Sequence, residues 1–329
     1  MKNAVLTDSA RFPFSQDDLD RLSEADVRLV LVEGHSRNEL LSVAHSAEAM
    51  FVYSAHIDEM VIGRLSKCRL LVRCGSGYDN IDVAAARARG IEVAYVPGYG
   101  TDDVAEHALA LLMACARRVV SINQEVRRGG WPTYAAIGTM RRLRGATLGL
   151  VGFGRIARRL AQMTGGLGME VIAFDPHVAD DAFAAESVRR CTLLELAAQA
   201  DVISLHASLS PSTTGIVDRE FLHRLRPEAI LVNTSRGELI DEDALVLSLQ
   251  QGRLAGAGLD VLEHEPPAPD HPLIALPNVV ITSHSAAFTE EALAAVRSQA
   301  IDEVLRIFAD VQPIHPVPAM LEGESKKCP

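Results

Sequence analysis

Short apolar runs recur along this chain at intervals that leave room for one helix between each pair. In the first hundred residues they stand at 4–7, 28–32, 49–53, 70–73 and 92–95, and stretches of helical period lie between them, such as 57–65 and 83–89, the latter closed by Gly90. The alternation resumes further on, with predicted strands at 148–151, up to Asp175, and at 202–206, 229–233, 256–261 and 279–282, and helices at 218–225, 242–250 and 290–309. Regular strand–helix alternation predicts an α/β fold with doubly wound parallel sheets and right-handed crossovers. A Pro/Gly break at 96–100 precedes a long apolar helix, capped by Thr101 or Asp102, and reads as a hinge. The expected domains are therefore 1–100 with 288–329, and 101–287, because the last helix is expected to return to the first domain.

The stretch 147–175, TLGLVGFGRIARRLAQMTGGLGMEVIAFD, organises the second domain. It reads as strand, glycine turn, helix and strand, half of a mononucleotide-binding unit. Gly152 permits the turn, Gly154 lets a pyrophosphate approach bare backbone at a helix N-terminus, and Ala157 is small enough for helix and strand to pack closely. Asp175 follows about twenty residues on, where a carboxylate accepts from the hydroxyls of an adenosine ribose. Glycines in this pattern also shape ordinary turns, and a nucleoside-binding methyltransferase site is the competing reading. The strand before, the helix after and the acid at the next strand's end together favour a dinucleotide.

Composition changes the picture in three ways. A net charge of −11 argues against a duplex-binding surface or an anionic membrane patch, so no nucleic-acid or membrane partner is expected. Five cysteines (Cys68, Cys74, Cys115, Cys191, Cys328) without a C-x-x-C indicate neither zinc nor a disulfide frame, and a reducing cytoplasm fits best. The N-terminus lacks a secretory signal, and no run approaches a membrane span. Residues 127–145 carry the only Trp, five arginines and little periodicity, which suits an arm on a partner subunit better than core.

Candidate chemistry sits where strands end. NTSRGELID places Arg236 after one strand, GLDVLEHEP places Glu265 after the next, and TSHSAAF places His284 after the last. Strand carboxyl ends face the ligand crevice of an open parallel sheet, so a cation, a carboxylate and an imidazole can converge there. In the first domain RCGSGYDNID puts Gly75, Ser76 and Gly77 after a strand, as a carboxylate-holding loop or as a plain turn into a helix capped by Asp82.

Taken in order, GFGRIA, Asp175, HASLSPSTTGIV, NTSRGELID, GLDVLEHEP and TSHSAA, with RCGSGYDNID and VPGYGTDDVAEHALALL before them, resemble the D-isomer-specific 2-hydroxyacid dehydrogenases over residues 48–309. Within them the chain is most similar to the branch of phosphoglycerate dehydrogenases and C-terminal binding proteins. The resemblance implies a Rossmann NAD-binding domain inserted in a flavodoxin-like substrate domain, and a small 2-hydroxy or 2-keto acid as substrate. It implies that Arg236 binds the substrate carboxylate and keto oxygen, that His284 gives and takes the proton, and that Glu265 pairs with His284. Ser76 and Gly77 would help to hold the substrate. NAD contacts are implied at Gly152, Gly154, Arg155, Ile156, Asp175, Thr234, Ser235, Arg236 and Asp260, and along the loop Ala207 to Thr213.

The chain departs from the family in places. Ala207 and Ser208 replace a His-x-Pro, and Ser54, Ala55 and His56 stand where phosphoglycerate enzymes carry arginines, which weakens a phosphate cradle. The alternative function, an NAD(H)-sensing dimer like the C-terminal binding proteins, would expect a tryptophan where Ala287 stands. Hydride transfer needs a base near neutral pH at the reacting oxygen; His284 suits it, Glu265 would favour its protonated form, Arg236 could fork onto the carboxylate, and no metal is required. His206, on a neighbouring strand end, is the alternative base. Asp175, with no arginine among its next residues, predicts NAD over NADP. A homodimer through the cofactor domain is expected, with the 127–145 arm and the helix 104–116 at its interface.

Overall fold

The computed structural model describes residues 1–33, 37–137 and 140–318. Two positions of the expected arm, Gly138 and Thr139, and the tail from 319 to 329 with Cys328, lie outside the described residues. The chain divides into two compact units, Met1–Gly100 with the part from Thr289 on, and Thr101–Phe288.

The first unit is built on β1 (Lys2–Leu6), β2 (Val27–Leu31), β3 (Ala49–Val52), β4 (Leu70–Arg73) and β5 (Glu92–Tyr95), paired in parallel in the order β2-β1-β3-β4-β5. This is the flavodoxin-like order. The central strands read as apolar runs because both faces are covered, while the edge strand β2 carries exposed Arg28 and Leu31. Val5, Met50, Val52, Leu71 and Val93 face one core, and Ala4, Leu6, Phe51, Leu70, Val72 and Ala94 face the other, as the pleat requires. The helix Glu290–Phe308 returns to the second of these cores through Val296, Ala300, Ile301 and Val304. Its buried Glu303 accepts from the amides of Ile314 (2.8 Å) and His315 (2.9 Å), which lays the following segment along β5, where Val317 N donates to Val93 O.

The predicted helix 57–65 is shorter than its period suggests, Glu59–Ile62, because Ile57 pairs with Ile81 in a bridge and Asp58 becomes the cap. A helix at Gln16–Glu24 is closed by a capping box of Ser15 and Asp18.

The second unit carries β6 (Thr147–Val151), β7 (Glu170–Phe174), β8 (Arg189–Arg190), β9 (Val202–Leu205), β10 (Ile230–Asn233), β11 (Gly256–Leu259) and β12 (Val279–Ile281), all parallel, in the order β12-β11-β10-β9-β6-β7-β8. This is the Rossmann order with one strand added beyond the sixth, and the order reverses between β6 and β9. β8 has two exposed arginines and no apolar pattern, so periodicity could not reveal it. Thr101 and Asp102 belong to the first turn of the helix Thr101–Ala116 rather than preceding it. That helix buries Ala105, Ala108, Leu111, Leu112 and Ala116 against its own sheet, with Leu111 over Gly258. Its other side keeps Val104, Leu109, Met113 and Ala114 half-buried and Ala110 exposed.

Candidate active site

At the end of β6 the chain turns through Gly152, whose φ is +88° and whose amide donates to Phe174 O at 2.8 Å. A side chain there would lie 2.6–2.9 Å from the backbone of His206 and Ala207, so only glycine fits both the angle and the space. Gly154 is the opposite case. A Cβ on it meets nothing within 4 Å, and it heads the helix Arg155–Gly165 with no side-chain cap. No side chain caps the first amides of that helix, as pyrophosphate binding requires. Arg155 is exposed and Ile156 half-buried at this start, while Ala157 is fully buried beneath it.

Asp175, at the end of β7, is held by two amides: Phe153 N donates to Oδ2 at 2.8 Å and His177 N to Oδ1 at 2.9 Å. From elsewhere in the chain, Arg190 of β8 donates to the Asp175 carbonyl at 3.2 Å while pairing with Asp180 and lying over the Phe183 ring. It arrives from the neighbouring strand, fifteen positions on, so the local sequence around Asp175 could not show it.

The loops after β9 and β10 are tied together. Ser235 Oγ donates to Ala207 O at 2.6 Å, and Thr213 Oγ1 closes its own loop by donating to Ser208 O (2.7 Å) and accepting from Ser210 N (2.8 Å). Thr234 Oγ1 is buried and has no hydrogen-bond partner in the structure, a polar atom that a ligand would satisfy. Fully buried Asn233, which sequence reading overlooked, clamps the turn: Nδ2 donates to Arg236 O (2.7 Å) and Oδ1 accepts from Ser235 N (3.0 Å). An amide ending an apolar strand was the available signal. His206 bonds Ser204 Oγ through Nε2 at 2.9 Å, and burial pushes its ring down to about 4, so it is neutral at pH 7 and a poor proton donor.

Arg236 and Glu265 meet through backbone. A Cβ on Gly237 would fall 2.0–2.3 Å from Leu262 C, Leu262 O and Glu263 N, so the β10 loop seats against the β11 loop only because this residue is glycine. Glu265 Oε1 accepts from Leu262 N at 3.1 Å, and its Oε2 lies 2.7 Å from His284 Nδ1. Arg236 Nη1 donates to the Ser235 carbonyl at 2.8 Å.

Asp260, where the resemblance implies a cofactor contact, is 1% exposed. Its oxygens turn inward. They accept from Thr282 Oγ1 (2.6 Å), Ser285 N (2.9 Å) and Ala286 N (2.9 Å), and His107 Nε2 lies 3.4 Å away. Burial alone would raise this carboxyl, but those donors bring it down to about 2.

In the first unit Gly75 N is occupied by Arg73 O at 2.8 Å, so the expected three-amide loop is reduced to exposed Ser76 and half-buried Gly77 at the end of β4. The amides of Ser54 and Ala55 point at Asp8 Oδ2, at 3.0 and 2.8 Å.

A Rossmann sheet, an uncapped helix start at a glycine turn and a His–Glu pair whose loop seats against the loop of an arginine fit a nicotinamide-dinucleotide type of α/β protein. Residues 109–286 match the NAD binding domain of the D-isomer specific 2-hydroxyacid dehydrogenases, and the chain belongs to that family. It is 37% identical, over 85% of its own length, to a D-3-phosphoglycerate dehydrogenase of Archaeoglobus fulgidus, of which it covers 53%. The chain thus spans about half the length of the phosphoglycerate dehydrogenases it matches. A hydroxypyruvate reductase of Thermotoga maritima is 34% identical, covering 89% of this chain and 95% of that protein. The crystal structure of a D-lactate dehydrogenase from Aquifex aeolicus, complexed with NAD and lactic acid, superposes with a TM-score of 0.84 at 28% identity, over 96% of this chain and all of the other.

Proposed function

We propose that the protein is an NAD-dependent dehydrogenase that interconverts a small, unphosphorylated D-2-hydroxy acid and its 2-keto acid, as a homodimer in the cytoplasm. The observation that carries the reading is the 2.7 Å His284–Glu265 pair, joined through Gly237 to the loop of Arg236 at three successive strand ends of the NAD-binding unit. Open space at Gly154, the orphaned Thr234 hydroxyl and the amide-held Asp175 fit the dinucleotide. Bound nicotinamide supplies the hydride acceptor or donor.

The protein's own share is proton and charge handling. Glu265 engages His284 Nδ1, so the neutral ring keeps its proton there and Nε2 is left to take the hydroxyl proton during oxidation, or to return it during reduction. Arg236 forks onto the substrate carboxylate and stabilises charge on the reacting oxygen. An unphosphorylated substrate is supported by Asp8, because the amides after β3 hold that carboxylate where a phosphate would need cations.

The cytoplasm is supported by four free cysteines whose thiols burial pushes up, to about 12 for Cys68, Cys74 and Cys115 and about 11 for Cys191. No described helix is long and apolar enough to cross a membrane.

Purified protein with NADH should reduce glyoxylate or hydroxypyruvate, followed by loss of nicotinamide absorbance. His284→Ala should lose roughly 10²-fold or more in both directions while still binding NADH. Failure of the wild type on every small 2-keto acid tried overturns the reading.

A further inference from the structure

His107 lies outside the Arg236, Glu265 and His284 set, on the helix Thr101–Ala116, yet its ring meets the loop that carries His284. Nε2 is 2.9 Å from Thr282 Oγ1 and 3.4 Å from Asp260 Oδ1. Thr282 gives its one hydroxyl proton to Asp260 at 2.6 Å, so the hydrogen bond between ring and hydroxyl needs the proton on His107 Nε2.

What hangs on Asp260 is the loop itself. Its side chain takes the Ser285 and Ala286 amides, and its carbonyl takes the His284 amide at 2.7 Å. His284 sits at φ +53°, a left-handed conformation that a residue with a Cβ keeps only where its surroundings impose it. The donors at Asp260 are therefore two amides of that loop, a threonine at the end of β12, and an imidazole brought in by the helix that opens the unit.

We propose that His107 is a positioning residue for the proton transfer at His284, acting through Thr282 and Asp260 to fix the backbone of the loop Thr282 to Ala286. This rests on the proposed role of His284. Loss of the ring removes a donor from the Thr282 hydroxyl and Asp260 Oδ1, and the strained turn at His284 loses part of what holds it. A reacting group displaced by about 1 Å costs up to about 10²-fold in rate.

The test compares His107→Ala, His107→Gln and Thr282→Val in the whole chain. It reads kcat and KM for glyoxylate reduction, NADH binding by fluorescence, and amide exchange of the segment 282–288. In His107→Ala, kcat should fall about tenfold or more, while KM and the NADH Kd stay within about twofold and exchange of 282–288 quickens about tenfold. His107→Gln, whose amide nitrogen can take the place of ring Nε2, should restore both. Thr282→Val should match His107→Ala, and the double variant should be no worse than either alone, as expected for one chain of contacts. Unchanged kcat and exchange in His107→Ala, no rescue by Gln, or additive losses would overturn the proposal. A wild type that reduces no keto acid removes the reading of His284, and the exchange data then decide separately whether His107 holds the loop.

Discussion

His206 shows why residue type and position alone do not assign a base. It stands on a strand end like His284, but it lies half-buried against Ser204 with its ring pushed down to about 4, whereas His284 is paired with a carboxylate at the site. Motif order legibly marked Arg236, Glu265 and His284, since all three follow strands. Asn233, Thr282 and His107 were missed because their roles come from contacts across 2 to 175 positions that no local pattern encodes. The His206 environment also has a thermodynamic consequence. Its folded value of about 4 lies below the unfolded 6.5, so the folded state resists protonation; the contribution is full above pH 6.5 and is lost as pH falls toward 4. Denaturant unfolding should show about 2 kcal/mol less stability at pH 5 than at pH 7 from this group, and His206→Gln should flatten that slope. An identical slope in the variant would place the titration elsewhere. At Asp175 the prediction concerns the cofactor. The wild type should prefer NADH, because the carboxylate repels a 2′-phosphate, but Asp175→Ser should turn toward NADPH by more than about tenfold in kcat/KM because Arg190 is already at hand. Adding Arg190→Ala should abolish the gain; a Ser variant indifferent to Arg190 would remove that arginine from the account.

At the scale of elements, most strands were legible because they are apolar runs with both faces buried or half-buried, and their ends were placed within one or two residues. Short helices and β8 were not, since a capping residue or a tertiary bridge sets their limits rather than periodicity. The two motif glycines at loop starts separate into opposite cases that sequence treats alike. Gly237→Ala drives a methyl into the Leu262–Glu263 backbone, so unfolding should be easier by about 2 kcal/mol or more, with turnover falling as the Arg236 and Glu265 loops part. Gly154→Ala meets no protein atom at a φ of −77°, so its thermal midpoint should hold or rise slightly. NADH binding should nevertheless weaken about tenfold or more, since the methyl would occupy space the pyrophosphate needs. Equal losses of stability in both variants would mean that the open space at Gly154 is not a ligand's.

For the molecule as a whole, the Pro/Gly break at 96–100 and the returning last helix made two units legible, and the chain passes between them at Gly100–Thr101 and Phe288–Thr289. Assembly was less legible. Apolar content marked the helix 104–116 for an interface, and its own sheet takes up only the buried part of it. Four exposed apolar side chains lie just beyond it: Val119 is 53% exposed, Val126 40%, Trp131 86% and Tyr134 80%, and the helix Val119–Arg127 buries no residue at all. Single exposed hydrophobics are ordinary, but four within sixteen positions, the only Trp among them, are surface that we expect a second copy of the chain to cover. Sedimentation at micromolar concentration should therefore give a dimer. Trp131 is also the protein's sole indole, so its emission should move to longer wavelength on dilution as the ring passes from interface to water. Trp131→Asp with Tyr134→Asp should yield a folded monomer that keeps its NADH affinity, because the dinucleotide turn at Gly152 to Asp175 is complete within one unit. A wild type that sediments as a monomer, or a Trp131 emission that never changes with concentration, would refute this interface.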